Sequence, residues 1–112
     1  MSVQTTAGAP ISNELMSNYL HTLVNRLFKI LPIREQNDAS LPVYVQSLQM
    51  ELLGCQNLIA TFKNDAVFLT LLSILQYLID NPDCSVRTVR REVFHAISLC
   101  NKLKANYLDS EV

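Results

Sequence analysis

Two imidazoles and three thiols are the side chains best suited to chemistry near neutral pH: His21, His95, Cys55, Cys84 and Cys100. A catalytic base needs a nucleophile within reach, and a zinc site needs closely spaced ligands. Neither histidine stands in a recognisable spacing to a nucleophile, and no C-x-x-C or H-x-x-x-H occurs. Both read as surface or boundary residues on different helices. Paired carboxylates could do acid–base work or ligate a metal, but no two lie three or four apart within one expected helix body. Asp80 and Asp83 are three apart but fall in a turn. Phosphate-cradling loops need glycine, and the chain has two, with no G-x-G-x-x-G, G-x-x-x-x-G-K or G-x-S-x-G. H-E-x-x-H is missing as well. The expectation is a non-enzyme, with no catalytic residue, no metal and no cofactor.

The thiols speak to compartment instead. Three cysteines without a close pair make a poor disulfide framework, so all three are expected free, at least two of them packed as small apolar groups. Met1–Pro10 has no basic segment followed by an apolar one, so it does not read as a secretory signal. The longest apolar run, 66–79, would span only about 21 Å as a helix, short of a bilayer core of about 30 Å. These features point to a cytoplasmic protein that does not engage a membrane.

The 112 residues suit one domain, and 49% hydrophobic residues exclude a disordered chain. Two glycines could hardly serve the turns of a β-rich fold. Eighteen leucines in periodic runs argue for helix, with the four prolines at segment edges. Four helices are expected. The first runs from Ser12 to Leu31, capped by Ser12 or Asn13 and stopped by Pro32, with Met16, Leu20, Leu23, Leu27 and Ile30 inward. A loop over 32–40 follows. Ser40 should cap the second helix, whose seam is Leu41, Val45, Leu48, Leu52, Cys55, Ile59 and Phe62. Asp65 should cap the third, with seam Phe68, Leu72, Leu75 and Ile79. The fourth starts near Asp83 to Ser85 and reaches Leu108, with seam Val86, Val89, Val93, Ala96, Cys100, Leu103 and Tyr107. Seam spacings of four and three favour shallow crossings, and short connections suit an up-down-up-down four-helix bundle. The domain spans 12–108, between a flexible tail at 1–11 and a short one at 109–112.

Some apolar residues are surplus to one bundle. The third helix is apolar or uncharged all round, and such a helix tends to be buried all round. The second carries Val43, Met50 and Leu53 off its seam, with Gly54 beside them. A glycine inside a helix costs about 1 kcal/mol against alanine, which a close helix–helix approach could offset. The surplus predicts a homodimer with Val43, Met50 and Leu53 in its interface.

Charge gives the other functional signal. The chain carries nine basic and ten acidic residues, for a net charge of −1. The fourth helix nonetheless holds Arg87, Arg90, Arg91, Lys102 and Lys104 against Glu92 alone. Heptad positions put Arg87, Arg91, Phe94, His95 and Lys102 on one outward arc. Asp83 stands four residues before Arg87 and could pair with it. The arc predicts a surface for an acidic protein partner. The alternative is a small regulator touching nucleic acid through the same face, although no helix-turn-helix pattern accompanies it.

Overall fold

The computed structural model describes residues 3–4, 10–59 and 62–108. The chain is all-α, with α1 (Asn13–Phe28), α2 (Ile30–Glu35), α3 (Leu41–Leu58), α4 (Ala66–Asp80) and α5 (Val86–Leu108). Of the expected tail at 1–11, β1 (Val3–Gln4) pairs antiparallel with β2 (Pro10–Ile11), Val3 opposite Ile11. The expected tail at 109–112 lies outside the described residues.

Each long helix begins where a side chain takes up an otherwise unpaired N–H, with one exception. Ser12 Oγ accepts from Leu15 N at 3.1 Å, Asp65 Oδ1 from Phe68 N at 2.9 Å, and Ser85 Oγ from Thr88 N at 3.1 Å. Ser40 does not cap α3, contrary to expectation. A capping oxygen accepts from the second or third helical N–H, and the second residue here is Pro42, which has none. Ser40 instead donates its backbone N–H to Asp38 Oδ1 at 2.9 Å.

Pro32 corrects the expected first boundary. It does not stop a helix at Leu31; it sits in the first turn of α2, where its missing N–H is harmless. Its ring would clash with the carbonyl four residues back, that of Phe28, and α1 ends at Phe28. The expected loop at 32–40 is therefore helical as far as Glu35. Ile30 is fully buried and holds α2 to the core. The turn after α2 places Asn37 at φ 50°, a left-handed conformation that asparagine tolerates better than most residues. Seven residues later, Tyr44 in α3 donates its hydroxyl to the Arg26 carbonyl at 2.8 Å.

The second seam also runs past its helix. Backbone geometry turns extended at Ile59, yet Ile59 and Phe62 remain buried, and Phe62 meets Phe68 edge-on with ring centres 4.5 Å apart. In α4 the buried residues are Phe68, Leu71, Leu72, Ile74, Leu75 and Leu78, while Ile79 is only half-buried. The α4 seam is thus wider than expected and rotated. It does not cover the whole circumference: Leu69 and Tyr77 are exposed. In α5, Val89, Val93, Ala96, Cys100 and Leu103 are buried as expected, whereas Val86 is exposed. The side chain of Tyr107 lies outside the described residues.

The helices pack α1 on α5, α5 on α4 and α4 on α3, with α2 across α5 and α3. Side-chain pairs give the register. His21 meets Lys104 and Phe28 meets Phe94 between α1 and α5. Gln49 Nε2 donates to Gln76 Oε1 at 2.7 Å between α3 and α4. Tyr19 and Arg26 of α1 reach Glu51 of α3. No helix among the described residues is long and apolar enough to cross a membrane.

Candidate interaction surfaces

The basic arc of α5 comes out as one exposed face. Arg87, Arg91, Phe94, His95 and Lys102 are all exposed, spread over about 22 Å at 1.5 Å per residue. Its cations are unequally free. Arg90 lies 3.4 Å from Glu35 and Arg91 lies 3.2 Å from Glu92. Lys104 donates to Nδ1 of His21 at 3.3 Å. The pair expected between Asp83 and Arg87 is not among the ion pairs of the described residues, and Arg87 and Lys102 have no carboxylate partner there. Phe94 does not stand alone among the charges: Phe28 of α1 packs against it with ring centres 5.9 Å apart at 78°. Both rings remain about half exposed, so the basic face carries an aromatic pair of which the sequence showed only one member in place.

The outer side of α3 and α4 is poor in charge. Across α3 and α4 the charged residues are Glu51 and Asp80. Glu51 is drawn to Arg26, whose hydrogen bond holds the carboxylate below its ordinary pKa. Asp80 is at the end of α4 and accepts from Gln76 at 2.9 Å. Between them the outer surface presents apolar groups to water alongside uncharged polar ones such as Gln46, Ser47, Thr70 and Ser73. Val43 is 68% exposed and Met50 67%, and Leu53 is also exposed. On neighbouring α4, Leu69 and Tyr77 extend the same surface. The three interface residues expected from sequence therefore stand together and uncovered. Leu69 and Tyr77 were not singled out individually, because an all-round apolar helix gives no hint of which side stays wet. An ideal Cβ on Gly54 meets nothing within 4 Å, so no close approach inside the chain accounts for that glycine.

A third arrangement joins α1 to α3. Tyr19, half-buried on α1, lies with its hydroxyl 3.1 Å from both Glu51 Oε2 and Cys55 Sγ. Burial, reinforced by the bond to Cys55, raises the Tyr19 pKa. Tyr19 and Cys55 also border an apolar cleft of about 250 Å³, with Leu15, Met16 and Ile59. The spacings were visible, Tyr19 seven before Arg26 and Glu51 four before Cys55, but no sequence signal says that α1 faces α3 along those residues. The cluster ties α1 to α3.

A larger cleft, about 310 Å³, opens near the α2–α3 turn. Its arginine is already engaged. Arg34 donates from Nε and Nη2 to the Cys84 carbonyl at 3.2 and 2.9 Å, and from Nη1 to Asn37 Oδ1 at 2.7 Å. It clamps α2 to the turn between α4 and α5. Cys55, Cys84 and Cys100 are all free, Cys100 buried and the others half-buried. His21 and His95 are exposed on separate helices. Among the described residues no three His, Cys, Asp or Glu side chains gather as a metal site. No family model, curated protein or solved structure matches the chain.

Proposed function

We propose that this chain is a non-enzymatic interaction module. It works as a homodimer joined through the outer side of α3 and α4, and it offers the basic face of α5 to an acidic protein partner. One observation carries the reading: charge is segregated across the bundle. The α3/α4 side holds two charged residues, both engaged, beneath exposed Val43, Met50, Leu53, Leu69 and Tyr77. The far side carries the cations of α5 around an aromatic pair. Apolar surface of this kind is stabilised by being covered.

In this reading the four long helices run up-down-up-down. The supporting pairs are His21–Lys104 and Phe28–Phe94 between α1 and α5, Gln49–Gln76 between α3 and α4, and Tyr19–Cys55 with Arg26–Tyr44 between α1 and α3. In the α1–α5 set and in the α1–α3 set one helix advances as the other steps back. Three free thiols support a reducing compartment, the cytoplasm.

Two substitutions test the two faces separately. Met50→Asp sets an unpaired charge on the apolar side, and it should yield a monomer with unchanged helical circular dichroism. Arg87→Glu with Arg91→Glu should leave the dimer intact and weaken capture of the acidic partner, with a loss that salt reproduces. If the same pair of substitutions removes binding to duplex DNA instead, the face serves nucleic acid. A dimeric Met50→Asp protein would refute the α3/α4 interface.

A further inference from the structure

We propose that two copies of α3 cross antiparallel about a two-fold axis level with Leu48 and Gln49, each copy's Gly54 and Ser47 receiving the partner subunit's Val43 and Met50. This rests on the homodimer reading and adds the geometry of its interface. The outward line of α3 is Val43, Ser47, Met50 and Gly54, spaced four, three and four. All four are exposed. Along this line side chains alternate large, small, large, small. Reversed, the line reads small, large, small, large. An antiparallel copy therefore sets a large side chain on a small one at every step. A parallel copy would set Val43 on Val43 and Gly54 on Gly54, leaving voids at the small positions.

Gly54 points to the same occupant. It stands inside an 18-residue helix, where glycine is unfavourable relative to alanine. Nothing in the chain would touch a Cβ there. The space it leaves open faces outward, at the position the antiparallel register assigns to the partner subunit's Val43.

Charge and area fit the same occupant. A copy that meets itself brings like charges together wherever the face is charged, as the basic face of α5 would. The line on α3 carries none. A helix of 18 residues is about 27 Å long, and two adjacent helices are about 20 Å wide, giving about 500 Å² per copy. Two copies then bury about 1,000 Å², the lower bound for a specific interface, which is met only if α4 contributes. The Gln49–Gln76 bond puts Tyr77 at the level of the axis, so the aromatic rings of both copies flank the crossing.

Cysteine cross-linking reads the register directly. Cys55→Ser, Cys84→Ser and Cys100→Ala provide a thiol-free background. Into it go Val43→Cys and Gly54→Cys, each alone, and the two proteins are mixed and oxidised. The mixed disulfide should dominate. Neither protein should link to itself, because like positions in the antiparallel pair lie about 16 Å apart along the axis, beyond disulfide reach. Self-linkage of Val43→Cys, or no mixed product from a chain that sediments as a dimer, overturns the register and leaves the dimer standing. A monomer in sedimentation overturns both. Should the thiol-free background not fold, Gly54→Leu in the native sequence serves instead. It should weaken dimerisation at least tenfold with unchanged helical circular dichroism, and an unchanged dissociation constant contradicts the crossing.

Discussion

Cys100 is fully enclosed, and burial pushes its thiol up to about 12 from 9.0. A neutral thiol in the core stabilises the fold at every pH below 9, and that contribution is lost as pH rises from 9 toward 12. Tyr19, also raised, acts in the same direction above its ordinary value of 10.0. Glu51 acts in the opposite direction. Its folded pKa is held down by Arg26, so its contribution is present above the ordinary carboxylate value of about 4.3 and is lost as pH falls below it. Stability should therefore be flat between about pH 5 and 9 and fall on both sides. Glu51→Gln should flatten part of the acid limb, and Tyr19→Phe part of the alkaline limb, in denaturant titrations across pH. Alkylation followed by intact mass gives a second check at this scale. All three thiols should react in denaturant, and Cys100 should lag in the native protein. A Cys100 that reacts as fast as Cys84 would contradict its enclosure. Packing sets the largest residue effects. Leu52→Ala and Leu75→Ala should each cost about 2–5 kcal/mol in chemical unfolding.

Helix positions and their inward residues were largely legible because local rules govern them. Ser12, Asp65 and Ser85 stand where their oxygens can reach the third N–H onward, and each does so. Asp65→Ala should cost about 1 kcal/mol, by thermal or denaturant unfolding, whereas Ser40→Ala should cost far less because Ser40 caps nothing. The boundary near Pro32 differs from the expected one because proline does not act at its own position. Its steric reach is four residues back, to Phe28, so it separates α1 from α2 and begins the second. The α4 seam departs from the heptad for another reason. A strict heptad drifts by about 20° per repeat on a straight helix, and a helix packed between α3 and α5 buries a broad stripe. Leu71, Ile74 and Leu78 fill that width. The contact of Phe28 with Phe94 and the Tyr19–Glu51–Cys55 cluster were illegible, because each needs the order of helices in space. By contrast, the exposed line through Val43 and Met50 followed from being off the seam.

At the scale of the molecule, one bundle leaves an apolar side open to water. The α3/α4 side carries Glu51 and Asp80 as its charged residues, and the α5 side is basic. A partner that binds α5 through Arg87 and Arg91 leaves the apolar side uncovered, so the two surfaces should act independently: breaking one should not alter the other. Association stabilises only folded chains, so the unfolding midpoint should rise with protein concentration. Sedimentation equilibrium of the unmodified protein at micromolar concentration tests the central claim most directly. A dimer joined through α3 and α4 should appear as a species of twice 12.7 kDa that dissociates only on dilution. A single species of 12.7 kDa up to the highest concentration, with an unfolding midpoint that does not move, would contradict it.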